Sequence, residues 1–317
     1  MDLTEIRIKG RNVYAPSVTV FGRTVIATGS WVRTARLHDE ELLQGDGITE
    51  PEKFIIDVKK SGLKADVFTF AQKPHEKPKH PYHFNWDNWA AAPTTCFKDW
   101  WDNLPQESRK NARRASKRGV TVNTVPFSDN LVRGIQGIYN ETPVRQGKPF
   151  WHFGKSFDAV KHENATYLER SEFVGAFLGE ELIGFIKFIN VDSIAVLIQI
   201  LAKNEHQDKR PMNALLAHTV ELCERKSLSL LIYGKYTYGT KRDNSLTEFK
   251  RRNGFEEIKF PRYSVPLSLK GMLAIRSGLH RGFANFVPRP ATDLFLKVRS
   301  RFCQSWFESR RAQAQEN

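Results

Sequence analysis

Between residues 172 and 267 the chain alternates apolar runs, turn residues and one amphipathic segment in an order that few folds accommodate. The runs EFVGAFL and LIGFIKFI flank Gly179-Glu180, a two-residue turn with glycine at its first central position, which predicts a β-hairpin. Residues 194–202, IAVLIQILA, form a nearly unbroken apolar run in which Gln199 alone is polar, the pattern of a strand buried on both faces. A polar loop, 203–210, leads to Pro211 in a first-turn position and to Met212, Leu215, Leu216, Val220 and Cys223 at helical spacing. That is an amphipathic helix of about four turns. Residues 229–233 supply another strand, 245–253 a short helix closed by Gly254, and 255–265 a last strand. The order is β, β, β, α, β, α, β.

This order resembles the acyltransferase half of the GNAT superfamily. The likeness is sharpest at Phe249-Lys250-Arg251-Arg252-Asn253-Gly254-Phe255, which is similar to that family's closing helix and its NGF turn. Upstream, Leu104-Pro105 followed by Arg109-Lys110-Asn111-Ala112-Arg113-Arg114-Ala115 and Lys117-Arg118-Gly119-Val120 is similar to a helix of FemAB-type relatives, which carry two GNAT-like halves. Together the two segments resemble a FemAB-like or type 6 acetyltransferase. The resemblance implies an α/β (α+β) fold with a GNAT-like mixed sheet flanked by helices. A partial GNAT-like N-terminal half ending in a basic helix would occupy 1–125, a complete acyltransferase half 126–267, and basic amphipathic helices 268–317.

The chain has 317 residues, 40% of them hydrophobic, enough for well-buried cores and against wholesale disorder. Forty-nine Lys and Arg against 35 Asp and Glu give a net charge of +14, which predicts attraction to phosphates on a cofactor, on RNA or on an anionic membrane. Cys96, Cys223 and Cys303 show neither disulfide nor metal spacing, so a reducing cytoplasm is the expected setting, and Cys223 reads as core. The N-terminus shows no signal pattern and no apolar run reaches the roughly 20 residues of a spanning helix.

Residues 1–70 alternate short β-like runs with turns around one helical segment, 50–61. Proline denies both helix and central strand to 72–83, QKPHEKPKHPYH, which reads as a loop, and its histidines match no metal-ligand spacing. Trp86, Trp89, Trp100 and Trp101 are expected to bury against a core, with stacking on a sugar or base as the alternative. From 270 to 317 nine Lys or Arg face three Asp or Glu, and Leu294, Val298, Phe302 and Trp306 recur every four residues. This predicts a docked helix with a solvated basic face; contact with an anionic membrane or RNA is the alternative.

In a GNAT enzyme the loop after the long strand, with the start of the next helix, holds the pyrophosphate of acyl-CoA. Unpaired N–H groups and the peptide dipoles favour anions there. By resemblance, Lys203, Lys209, Arg210, Met212 and Asn213 would bind the cofactor, acetyl-CoA or another acyl-CoA, with no metal. Met212 stands where the family's central glycine belongs, and Pro211 removes one N–H. Several FemAB-like proteins use aminoacyl-tRNA instead, which makes tRNA the alternative donor. Arg109, Lys110, Arg113, Arg114, Lys117 and Arg118 share one side of a helix with Ala112, Ala115 and Ser116 opposite, so Arg109, Arg113, Arg114 and Lys117 are candidate phosphate contacts.

The polar, Gly/Pro-punctuated stretch 139–155 holds the candidates for acceptor binding, Tyr139, Arg145, Trp151 and Lys155, and for a general base, Glu141 and His152. Tyr236 or Tyr238 is the expected acid. With no Ser-His-Asp or Cys-His arrangement visible, direct attack by the amine of a small molecule or sugar nucleotide is the expected mechanism. A non-catalytic module of the same fold that binds RNA or membrane is the rival reading.

Overall fold

A computed structural model describes residues 2–8, 11–45, 47–74, 77–145, 147–238 and 244–281. The stripe from Leu294 to Trp306 lies outside the described residues. In chain order the elements are β1 (Asp2–Ile8), β2 (Arg11–Val20), β3 (Arg23–Thr28), β4 (Thr34–Leu37), α1 (Pro51–Lys60), β5 (Val67–Ala71), β6 (His83–Pro93) and α2 (Phe97–Asn103). They continue with α3 (Gln106–Lys117), β7 (Val120–Val125), α4 (Asp129–Tyr139), β8 (Val144–Arg145), β9 (Lys148–Pro149), α5 (Phe157–Asn164), β10 (Ser171–Leu178) and β11 (Glu181–Val191). The last are β12 (Ile194–Ala202), α6 (Pro211–Arg225), β13 (Leu230–Ile232), α7 (Ser245–Arg252), β14 (Glu256–Pro266) and α8 (Leu269–Arg276). The described residues of 1–100, 189–196 and 223–283 form one compact unit, and those of 101–188 and 197–222 form another.

In the first unit the strand order is β1-β2-β3-β4-β5-β14-β6-β13. Most neighbours are antiparallel, but β4 and β5 are parallel, which requires the crossover that α1 provides. Phe54, Ile55 and Val58 of α1 are buried against Val25, Leu37, Phe68, Phe70 and Tyr263. Each such side chain contributes about 1.5–3 kcal/mol by leaving water. The first residues of β12, Ile194 to Val196, pair in parallel with β13.

β6 is an 11-residue strand where the sequence reading sees only tryptophans. Its Ala90, Ala91 and Ala92 are buried between β14 and β13, and alanine, asparagine and aspartate carry little β-propensity, so position in the sheet decides its conformation. The expected burial of the four tryptophans is half met. Trp100 is buried and Trp89 packs on Phe260 at 4.7 Å, whereas Trp86 is 56% exposed.

In the second unit the order is β12-β11-β10-β7. The expected hairpin is present as β10 and β11, and Gly179 adopts φ +60°, open to glycine at little cost. Ser128 caps α4 by accepting the Leu131 N–H at 3.3 Å. Leu131, Val132, Ile135, Ile138 and Tyr139 then form one buried face on Phe173, Leu182 and Phe185. The long apolar strand β12 is not buried throughout, since Ile198 is 42% exposed. Cys223 is buried, as expected of a core thiol.

Candidate functional site

The second unit gathers polar side chains in an otherwise apolar setting. Tyr139, at the end of α4, is buried and its hydroxyl donates to Gln199 Oε1 at 2.8 Å. Gln199 Nε2 stands 3.5 Å from His152 Nε2, and the His152 ring lies on that of Tyr139 with centroids 4.2 Å apart. On the other side His152 Nδ1 is 3.5 Å from Glu163 Oε2, while Lys155 donates to Glu163 Oε1. His152 is only 7% exposed. Because Gln199 Oε1 is taken by Tyr139, it is the Gln199 amide NH2 that faces His152 Nε2, and it finds an acceptor there when the ring proton sits on Nδ1. Trp151 and Phe153 flank the histidine and are exposed.

Glu141 and Arg145 brace the same loop. Arg145 donates to Ile138 O, Ala202 O and Glu141 Oε2, each at 3.0 Å, and its guanidinium lies 4.6 Å from the Phe150 centroid. Glu141 Oε1 accepts the Glu205 N–H at 2.9 Å, so both of its oxygens are engaged.

At the start of α6 most of the expected cations are committed. Lys203 donates to Glu181 and, at 3.3 Å, to Glu205; burial pulls its pKa down, but those carboxylates carry it above the ordinary value. Glu181, Glu205 and His206 bring ligand atoms within 4.8 Å of one another, and the Lys203 ammonium supplies the positive charge there. Lys209 lies 3.5 Å from Asp208 and 3.4 Å from His206 Nδ1. Arg210 sits at φ +60°, a left-handed position, and has no ion pair among the described residues. The Asn213 N–H is spent on Arg210 O at 3.2 Å, and Pro211 offers none. Met212 is half-buried.

Helix α3 commits only some of its cations. Ser108 and Ala115 form its buried side; Ser116 is exposed, so the packing face is narrower than the sequence pattern implies. Arg118 pairs with Asp208 at 2.9 Å, Arg109 approaches Asp102 at 3.8 Å, and Arg113 lies over Trp101 at 5.4 Å. Lys110, Arg114 and Lys117 have no carboxylate partner among the described residues.

The first unit holds the two expected tyrosines and an unexpected lysine. Lys250 on α7 is fully buried, donates to Lys235 O at 2.7 Å and lies 4.4 and 5.2 Å from the ring centroids of Tyr233 and Tyr238. Burial lowers its pKa to about 8. Burial also raises Tyr238 and Tyr236, so near neutrality both phenols stay protonated and serve as donors. Tyr236 lines a cavity of about 610 Å3 with Thr237, Asn244, Thr247 and Lys259.

Glu163, Gln199 and Lys250 were not singled out from sequence. Gln199 had a visible signal, a lone polar residue in a buried strand. Lys250 had none, because it sits in a run of three cations whose other members, Arg251 and Arg252, are exposed.

Neither a family model nor a curated protein matches the sequence. Solved structures do match in fold. A domain assigned as the C-terminal domain (DUF2156) of a lysylphosphatidylglycerol synthetase from Agrobacterium fabrum is 13% identical, with TM-score 0.53 over 81% of this chain and 85% of that one. FemX is 11% identical, with TM-score 0.53 over 86% and 89%. L-PGS from Bacillus licheniformis is 12% identical, with TM-score 0.51 over 80% and 85%. The fold is therefore GNAT-like and FemAB-like, a mixed sheet flanked by helices.

Proposed function

We propose that this chain is an acyltransferase that moves an aminoacyl group from an RNA-borne ester to an amine, with His152 as general base. The observation that carries the base assignment is the buried chain Glu163–His152–Gln199–Tyr139. An attacking amine forms the new C–N bond and the ester C–O bond breaks. Once the acceptor displaces the Gln199 amide from His152 Nε2, that atom takes the proton from the amine nitrogen and returns it to the departing ribose oxygen. Glu163 steadies the imidazolium, as a carboxylate on Nδ1 does in other acyl-transfer sites. Glu141, with both oxygens engaged, is read as a brace for the loop.

The choice of donor rests on where uncommitted positive charge lies. Around the start of α6, Lys203 and Lys209 face carboxylates, and Pro211 and Asn213 offer no N–H to a pyrophosphate. On α3, by contrast, Lys110, Arg114 and Lys117 are available to a phosphate backbone. Likeness in fold to FemX and L-PGS is compatible with this reading. A second reading, acetyl or another acyl group carried by CoA, is favoured by Arg210 at the head of the 15-residue α6.

One experiment separates them. Incubation with mixed radiolabelled aminoacyl-tRNA and a pool of amines should move label onto an acceptor, and His152→Gln should stop it. If label stays on tRNA while acetyl-CoA raises Tm in a manner that Arg210→Glu abolishes, the donor is CoA. If neither donor binds, the chain is a non-catalytic module.

A further inference from the structure

Helix α8 carries an apolar stripe that its own unit leaves open. Ser268 caps the helix, accepting the Gly271 N–H at 3.0 Å and donating to Asp66 Oδ1 at 2.9 Å. Gly271 lies directly on backbone: a Cβ there would stand 1.7 Å from Asp66 O. The helix is thus held by its Gly271 and Ala274 side. Opposite, Leu269 is 78% and Leu273 63% exposed, and Arg276 continues the stripe one turn on. Lys270 joins this face to Trp31, donating to Trp31 O with its ammonium 5.6 Å from the indole centroid. Trp31 is itself 49% exposed.

We propose that this patch docks on the surface of an anionic lipid bilayer, an inference that goes beyond the transfer reaction. Leu269, Leu273 and Trp31 enter the headgroup boundary and Arg276 meets lipid phosphates, while Lys270, paired with the Asp66 carboxylate at 3.7 Å, holds Trp31 beside the helix. Three observations favour that occupant. First, α8 contains no acidic residue, and the chain carries +14 overall, so the patch complements negative charge. Second, a two-fold pairing of this stripe with a second copy would set Arg276 against its own kind. Third, residues 282–317 carry six Lys or Arg against three Asp or Glu with Phe286, Phe295, Phe302, Trp306 and Phe307 among them. That segment has the same sign as the α8 patch. No described helix is long and apolar enough to cross a membrane, in keeping with contact from one side.

The test is cosedimentation of the full chain with phosphatidylcholine vesicles, with and without phosphatidylglycerol. Binding should require phosphatidylglycerol, weaken with salt, and fall by about tenfold in Leu269→Ser/Leu273→Ser with Tm unchanged. Wild-type binding to neither vesicle, equal binding to both, or undiminished binding by the serine variant overturns the proposal. Hydrogen exchange on the wild type gives an answer independent of any variant. Amides of α8 should exchange more slowly only when phosphatidylglycerol vesicles are present; protection already complete without lipid means that protein covers the stripe, and overturns the lipid assignment.

Discussion

The ammonium of Lys250 donates to the carbonyl oxygen of Lys235 across 2.7 Å. That carbonyl is held in place from the other end of the same residue, since the Lys235 ammonium spans both oxygens of Asp87 at 2.8 and 3.0 Å. Arg262 completes the network, reaching Asp87 at 2.8 Å and Glu40 at 2.7 Å. A buried amine thus ends on a backbone atom fixed by ion pairs, with two phenol rings for company and no carboxylate to offset its charge. Its counterpart in the second unit is Lys187, also buried, which donates to Asn164 O at 2.9 Å and Thr166 O at 2.7 Å.

These two lysines set a pH dependence of stability. Burial lowers each to about 8, from an ordinary value of 10.5. Below pH 8 both states are protonated and the full cost of a buried ammonium is present. Between pH 8 and 10.5 the unfolded chain binds more protons, so stability rises with pH by up to about 1.4 kcal/mol per unit and per lysine. Burial of Tyr233 raises its pKa, which acts in the opposite sense above the ordinary phenol range. Denaturant midpoints measured from pH 7.5 to 9.5 should therefore climb in the wild type and flatten in Lys187→Met/Lys250→Met.

If His152 is the base, its loss should be visible without loss of the fold. His152→Gln is expected to lower the transfer rate by about 10²–10⁴-fold. Gln199→Leu leaves the Tyr139 hydroxyl buried without its acceptor and should cost about 1–3 kcal/mol of stability. Tyr139→Phe combined with Gln199→Leu should cost less than Gln199→Leu alone, because no buried polar group is stranded.

The cations of α3 should reveal themselves through salt. If Lys110, Arg114 and Lys117 touch phosphates, log Kd for tRNA will depend linearly on log salt concentration, and each change to Gln will reduce the slope by about 0.7–0.9. An unchanged slope in the triple variant removes α3 from the interface.

Asn244 organises the helix that carries Lys250. Its Oδ1 accepts the N–H groups of Leu246 and Thr247, both at 2.9 Å. Asn244→Ala should cost about 1 kcal/mol and Asn244→Asp much less, measured by thermal or urea unfolding.

The hairpin around Gly179, the long strand through Gln199, the helix from Pro211 and the closing helix with Gly254 were all legible in the sequence. Their signals are local: the chain's 2.0 and 3.6 residue periods, a turn glycine and an N1 proline act within a few residues of one another. β6 was not legible, since Ala90–Ala92 become a strand only through partners more than 130 residues away on β13 and β14. The same holds for chemistry. His152 was a candidate from its setting in a polar loop, but its oriented partners, Glu163 and Gln199, come from α5 and β12. Whether a cation is spent on a neighbour, as Lys203 is on Glu181 of β11, or buried without one, as at Lys250, depends on which strands and helices the fold brings beside it. Local pattern therefore determined the order and type of elements, because periodicity and turn chemistry are short-range. Burial, desolvation and charge pairing are sums over long-range neighbours, and only the tertiary structure decided them.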